Sequence, residues 1–284
     1  MNVLLTGASG RVGSAIVEYL GDRSEYDFTY LDRTDRPDFE VVQADITDYE
    51  SIRPAFDGQD AVIHLAANPN VDASFESVLE NNIRGTYNVL EAAQDAEVER
   101  VVFASSYHTV ALHELEVTDR WNDYAAMYES DLGLPIDHTV RPAPDSYYGA
   151  SKLFGEHLGR RYVHPDSYPF DEDKPYPERF YAWRICAAGG SPENDHPYVG
   201  VEDSDLEPGS EAYENQVLGT KAKYFFREDI AHMADCMLQD ESITFDVFYG
   251  LSDNESRWYD IEHAKAVLGY EPRHDADDWD GPPE

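Results

Sequence analysis

A chain of 284 residues with 58 Asp and Glu against 21 Lys and Arg carries a formal net charge of -37, which excludes a basic surface for holding nucleic acid. The acid is spread along the chain rather than gathered in a tail, and aromatic residues reach 13%, so the charge does not signal disorder. Cys186 and Cys236 are too few for a disulfide framework and form no metal-binding spacing, and no apolar run approaches membrane-spanning length.

The first residues, NVLLTGASGRVGSAIVEYL, read as a buried strand, a glycine turn and an amphipathic helix. Gly7, Gly10 and Gly13 have the spacing of a dinucleotide fingerprint: a tight turn, a close approach of backbone to pyrophosphate, and close packing of helix on strand. Arg11 and Val12 lie within the same cofactor loop, and the helix N-terminus offers amide donors to an anion. The next strand, YDFTYLDR, ends in Asp32, placed to accept hydrogen bonds from the adenosine ribose and to repel a 2'-phosphate. NAD is therefore the expected cofactor, with NADP left open by Arg33 beside it.

Apolar runs and helical patterns then alternate through FEVVQADI, TDYESIRPAF, DAVIHLAA, FESVLENNIRGTYNVLEAAQDA and ERVVFASS, with Thr47 and Glu50 as a capping box for the second helix. The alternation continues through the helix SYYGASKLFGEHLGRRYV, the strand RFYAWRI, the helix REDIAHMADCML, the strand FDVFYG and the short helix IEHAKAVLG. This predicts an α/β fold, a Rossmann-like doubly wound parallel sheet with a small C-terminal substrate-binding lobe. One domain over 1–284 is expected, its cofactor core mainly 1–184 and 228–250 and its substrate side mainly 107–146, 185–227 and 251–273. Proline-rich acidic connections at 111–146, 163–178 and 187–220 are long for a compact core and read as walls, lids or mobile segments.

Tyr148 and Lys152 stand four residues apart, which puts a phenol and an ammonium on one helix face. A neighbouring ammonium favours the phenolate, lowers a pKa that is ordinarily about 10, and makes the tyrosine a base for an alcohol proton. Such a pair is common at helical spacing, and it is the glycine loop and Asp32 that turn it into redox chemistry.

TGASGRVG, Asp45 and Ile46 in QADITD, HLAA at 64–67, NNIRGT at 81–86, FASS at 103–106 and YGASK at 148–152 resemble, in this order, the extended short-chain dehydrogenase/reductases of the NAD-dependent epimerase/dehydratase family. Within it, FASSYHTV, YYGASKLFGEHL, WRI at 183–185 and VFYGLSDNESRWYDIEHAKAVLGYEPR are most similar to uronate dehydrogenases and archaeal NAD-dependent sugar and sugar-phosphate 1-dehydrogenases. The resemblance implies Ser106, Tyr148 and Lys152 as catalytic residues, with Ser106 donating to the reacting oxygen and Lys152 both tuning Tyr148 and binding the nicotinamide ribose. It implies Asp45 and Ile46 at the adenine, Leu65, Ala66 and Ala67 along the adenosine and ribose, Asn82 near the nicotinamide and Ile185 at the cofactor. Asn68, Ser106, Tyr107, His108 and Arg184 fall at substrate positions, Arg184 where uronate dehydrogenases hold an acidic group and Tyr107 where they usually carry asparagine. Lys221, Lys223 and Arg227 are cations that a substrate carboxylate or phosphate could use, but they read first as solvated surface.

The implied reaction is Tyr-assisted hydride transfer from the anomeric carbon of an aldose, uronate or hexose phosphate to NAD, giving a lactone. A nucleotide-sugar epimerase or dehydratase would use the same pair and return the hydride, but only about 60 residues follow Ala222 to hold a nucleotide. A non-catalytic cofactor sensor has no need of Ser106, Tyr148 and Lys152 together. The expected partner is a small-molecule sugar, with no nucleic acid and no membrane, and relatives form homodimers or homotetramers through the helices flanking the catalytic strand. Five lysines among so many carboxylates resemble the cytoplasmic proteins of salt-accumulating halophiles, whose acidic surfaces stay hydrated while salt screens their repulsion. With two thiols and no basic, apolar leader, cytoplasm is the expected compartment.

Overall fold

Val3, Leu4 and Leu5 are all fully buried because β1 (Asn2–Thr6) runs through the middle of a parallel sheet covered on both faces. The computed structural model describes residues 1–36, 39–114, 123–128, 136–164, 176–202 and 204–282. Its main strands are β2 (Asp27–Asp32), β3 (Val41–Gln43), β4 (Ala61–His64), β5 (Arg100–Ser106) and β6 (Arg179–Ile185). A short parallel pair, β7 (Ala187–Ala188) with β8 (Tyr224–Phe225), precedes the last strand, β9 (Phe245–Gly250). The seven-stranded sheet has the order β3-β2-β1-β4-β5-β6-β9, a Rossmann-like α/β fold as expected. The direction of winding reverses between β1 and β4, where Thr6 pairs with His64, and an open sheet of this kind leaves a ligand crevice at that point.

Alternate residues of each strand feed two apolar layers. On one face Val3, Leu5 and Ile63 meet Ile16 and Leu20 of α1 (Arg11–Leu20) together with Met233 and Met237. On the other, Leu4, Val62 and Phe103 meet Val89 and Leu90, with Tyr162 and Phe180 extending the cluster.

Several local expectations are corrected. The helix expected in TDYESIRPAF is one turn, α2 (Tyr49–Ile52), running into a 3-10 turn at Arg53–Phe56 because Pro54 has no amide to continue the ladder. Its cap is Asp48, which accepts from the Ser51 amide at 3.4 Å, and not Thr47, whose own amide donates to Asp45 at 2.9 Å. The helix expected from Phe75 is three pieces: α3 (Phe75–Val78), a π-helical segment Leu79–Arg84, and α4 (Gly85–Asp95). Part of the 111–146 connection forms α5 (Tyr124–Tyr128), which precedes α6 (Tyr147–Tyr162), the helix that carries Tyr148 and Lys152. The rest of the fold is carried by α7 (Val199–Glu202), α8 (Glu211–Lys223), α9 (Arg227–Gln239) and α10 (Glu262–Leu268). α8 lies largely in the connection read as irregular, yet Ser210 caps it at 3.2 Å, acids fill its first turn and Lys221 and Lys223 its last. Most of the connection at 163–178 lies outside the described residues.

Beyond the C-terminal ends of the strands a third apolar cluster gathers Val110, Tyr124, Ile136, Cys186, Tyr249, Trp258 and Tyr259. Tyr107 packs against it. Among the described residues no helix is long and apolar enough to cross a membrane.

Candidate active site

The crevice at the switch point opens into a cavity of about 950 Å³ that runs from Asp32, Arg33 and Arg36 at one end to Ser106, Tyr107, His108, Tyr148 and Lys152 at the other. That volume suits a dinucleotide with a small substrate beside it. Gly10, Arg11 and Val12 line it, as do Asp45, Ile46, Leu65, Ala66, Ala67 and Ile185.

Backbone geometry makes the cofactor end. Gly7 has φ +76°, and a Cβ there would lie 2.8 Å from the Ala66 amide nitrogen. A Cβ on Gly13 would lie 2.4 Å from the Gly7 carbonyl oxygen, so α1 seats directly on the loop. α1 has no side-chain cap at Gly10, which leaves its first-turn amides for an anion. The Asp32 carboxylate accepts from the Ser9 amide at 3.0 Å and the Thr34 amide at 3.2 Å, holding the two loops together. Arg36 was not foreseen, although it stands in the DRTDR run. It donates to the Ser9 carbonyl at 2.8 Å, and with Arg11 and Arg33 it places three guanidiniums around this end. Ser9 Oγ lines the cavity, buried and without a hydrogen-bond partner, the kind of orphaned donor that a phosphate or ribose oxygen satisfies. The loop therefore fits a dinucleotide.

At the other end, Ser106 closes β5 and Tyr148 stands in the first turn of α6, whose cap Ser146 accepts from the Gly149 amide at 3.0 Å. Ser106 and Tyr148 both line the cavity, and the serine side chain stands near enough to the phenol to favour its ionised form. Lys152 Nζ donates to the Ala104 carbonyl at 2.8 Å and lies 5.7 Å from the centre of the Tyr148 ring. Burial drives the lysine down to about 7. The expected lowering of the phenol by this ammonium is not what the geometry gives. Burial raises Tyr148 above its ordinary value, the Ser106 side chain works against that rise, and the Asp145 charge adds to it. Desolvation wins because the lysine is turned to a carbonyl.

His108 lies beside the phenol, with ring centres 5.8 Å apart, and its Nδ1 is 2.6 Å from the Asp145 carboxylate. Burial pushes Asp145 up, but the hydrogen bond and charge of His108 prevail and hold it below the usual carboxylate value. Asp145 had no signal in the sequence beyond its place before the helix. Tyr107 lines the cavity and packs edge-on to Tyr259 at 5.6 Å, its phenol raised by burial.

Other expected site residues serve the scaffold. Asn82 is buried and bonds both backbone groups of Asn68, at 2.8 and 3.1 Å, and Ser151 at 3.0 Å. It braces the β4 loop against α6, and its neighbour Asn81 lines the cavity instead. The Asn68 side chain is bound to Ser77 of α3 at 2.8 Å and to the Asn70 amide at 3.1 Å, while Pro69 and Val71 form the wall. Arg184 is buried in a bidentate pair with Glu156, at 2.8 and 2.9 Å, and is absent from the described wall of the cavity. Glu156 also accepts from Ser105 at 2.5 Å, so the guanidinium locks β6 to α6 rather than facing an acidic substrate.

The reading of three cations as solvated is also corrected. Lys223 is buried, donates to the Tyr124 hydroxyl at 3.1 Å, and lies 4.3 to 5.5 Å from the rings of Tyr124, Tyr107 and Trp258. Arg227 is buried and bonded to Glu18 at 2.6 Å and Gly190 at 3.1 Å. Lys221 donates to the Trp279 carbonyl at 2.5 Å.

A parallel sheet whose switch point opens on a glycine loop fitted to a dinucleotide, with a phenol and a hydroxyl on the wall of the same cavity, defines a Rossmann-type protein built for nicotinamide chemistry. The model of the NAD dependent epimerase/dehydratase family matches residues 3–169, and the chain belongs to that family. It is 37% identical over 283 residues to an NAD-dependent glucose-6-phosphate dehydrogenase of Haloferax volcanii, covering 95% of this chain and 92% of that protein. An L-arabinose 1-dehydrogenase (NAD(P)(+)) of the same organism is 43% identical over 161 residues, 57% of this chain and 61% of that one. Among solved structures, the uronate dehydrogenase from Agrobacterium tumefaciens superposes with a TM-score of 0.71 at 26% identity, covering 100% of this chain and 90% of that chain.

Proposed function

We propose that this chain is an NAD-dependent sugar 1-dehydrogenase that oxidises the anomeric carbon of an aldose, uronate or hexose phosphate to the lactone. The observation that carries the reading is the meeting of Ser106, Tyr148 and the buried Lys152 at one wall of the cavity that the glycine loop and Asp32 line at its other end. When bound, NAD accepts the hydride at its nicotinamide ring. Tyr148 takes the hydroxyl proton of the sugar, Ser106 donates to the oxygen whose charge changes, and Lys152 holds the nicotinamide ribose. Gly7, Gly10, Arg11, Val12 and Gly13 bind the pyrophosphate, Asp32 the adenosine ribose, and Asp45 and Ile46 the adenine. Arg33 and Arg36 beside Asp32 give NADP a second, weaker route.

His108, fixed through Nδ1 by Asp145, presents its other nitrogen to a sugar hydroxyl. Among the described residues, the cations at the cavity wall are Arg11, Arg33, Arg36 and Lys152, all on the cofactor side or beneath the phenol. A neutral aldose therefore heads the substrate panel. Phe75 and Tyr147, in edge contact at 5.6 Å and 48% and 59% exposed, supply the face on which a second copy docks, giving a homodimer or homotetramer. Its place is the cytoplasm of a salt-accumulating cell.

The test is a panel of aldoses, uronates and hexose phosphates with NAD in concentrated potassium chloride, followed by NADH absorbance. Net NADH formation is expected. Silence across the panel with turnover of a nucleotide sugar instead overturns the reading in favour of an epimerase or dehydratase.

A further inference from the structure

Away from the crevice, His138, Asp246 and His263 bring one ligand atom each to within 4.8 Å of one another. They come from separate places: His138 from the connection leading into α6, Asp246 from β9, and His263 from α10. The two imidazoles are stacked, with centres 3.6 Å apart and planes 10° from parallel, and His263 Nε2 lies 2.9 Å from the Asp246 carboxylate. His138 Nδ1 is buried and has no hydrogen-bond partner. A buried imidazole nitrogen without a partner, on a ring stacked against a second imidazole that is itself bonded to a carboxylate, needs an explanation.

We propose that His138, Asp246 and His263 bind a divalent transition-metal ion of the zinc class, with water completing the shell. Two imidazoles and one carboxylate are the donors that zinc and cobalt(II) take, whereas calcium and magnesium select oxygen. Metal–nitrogen bonds of about 2.0–2.1 Å put two coordinated nitrogens roughly 3–4 Å apart, so rotation of the rings out of their stack closes the remaining gap. Asp137, Asp246 and Asp260 surround the His138 ring with negative charge and favour a cation.

The ion clips a substrate-side connection to the C-terminal elements. The stretch of that connection after Ile136, which pairs with Tyr259, runs on to Asp145 and Ser146, the partner of His108 and the cap of α6. Binding therefore stabilises the substrate side without entering the chemistry.

Cobalt(II) is the probe, titrated into the whole chain in concentrated potassium chloride so that surface carboxylates are screened. One equivalent should bind with the ligand-field absorption of a four-coordinate site, be displaced by zinc, and raise the melting temperature. His138→Ala or His263→Ala should weaken cobalt by about tenfold or more, since even the outer-shell partners of metal ligands cost that much. His157→Ala, on an exposed face of α6, should leave cobalt binding unchanged. Absence of the absorption band, or equal affinity in His138→Ala, overturns the proposal and assigns any bound ion to surface carboxylates. Should the alanine variants not fold, diethyl pyrocarbonate labelling of the unaltered chain decides: zinc should protect His138 and His263 at least tenfold against His157, and equal labelling with and without zinc overturns the site.

Discussion

The two ends of the cavity are built on different principles. At the cofactor end, contacts come from short contiguous stretches: Gly7 to Gly13, Asp32 to Arg36, Asp45 with Ile46, and Leu65 to Ala67. Much of that end is backbone, and backbone shape is written locally by glycine and by the register of a parallel strand. At the substrate end, Tyr107, His108, Cys186, Gly190, Val199, Gly200, Thr220 and Tyr224 arrive from connections far apart in the chain. Their meeting depends on the cluster around Tyr249, Trp258 and Tyr259. On the proposed reading, cofactor binding rests on local code and the choice of substrate on long-range packing.

The largest expected effect breaks the chemistry while sparing the cofactor end: Tyr148→Phe should lower kcat about 10³-fold, with NAD affinity by fluorescence titration nearly unchanged. Equal losses in both would show that the two ends are not separable. Glu156→Gln should next destabilise the fold by about 3–5 kcal/mol in denaturant titrations at constant salt, because it leaves the Arg184 charge buried beside a neutral amide. A loss below about 1 kcal/mol would mean Arg184 finds another partner and is free to turn to substrate.

Asp32→Ala tests the local code directly. It should weaken NAD about tenfold by removing a charge-assisted ribose contact, and weaken NADP less. An unchanged ratio would remove Asp32 from cofactor choice. The last effect is in pH, and it is the most gradual, spread over several units. Lys152 has a folded pKa of about 7 against an ordinary 10.5, so the unfolded chain binds the extra proton between those values. Its contribution to stability therefore falls as pH drops from 10.5 toward 7, by at most about 1.4 kcal/mol per pH unit. The difference between the unaltered chain and Lys152→Met should carry that slope, and a flat difference would mean the lysine is better solvated than its burial implies.

Much of the fold was legible because each strand announces itself as an apolar run and each turn by glycine, and Ser106, Tyr148 and Lys152 sit in contiguous motifs. What was not legible are charges that meet across the fold. Arg184 looks from the sequence like a substrate anchor, since nothing in RFYAWRI reveals that Glu156 stands opposite. Lys223 looked solvated for the same reason: its cage is assembled from Tyr107, Tyr124 and Trp258, three distant stretches. Helical spacing rightly placed Tyr148 and Lys152 on one face, yet it could not say which way the ammonium turns. Burial, a property of the whole molecule, then reversed the expected direction of the tyrosine's pKa.

The three guanidiniums around the cofactor end have a kinetic consequence. They form a small positive mouth on a body of formal charge -37, so an anionic dinucleotide approaching from afar meets repulsion before it meets attraction. Added salt shortens the range of the repulsion more than it weakens contacts made within a few ångströms. Capture of the cofactor should consequently quicken as ionic strength rises, the reverse of ordinary electrostatic steering, and stopped-flow traces across a salt series would show it.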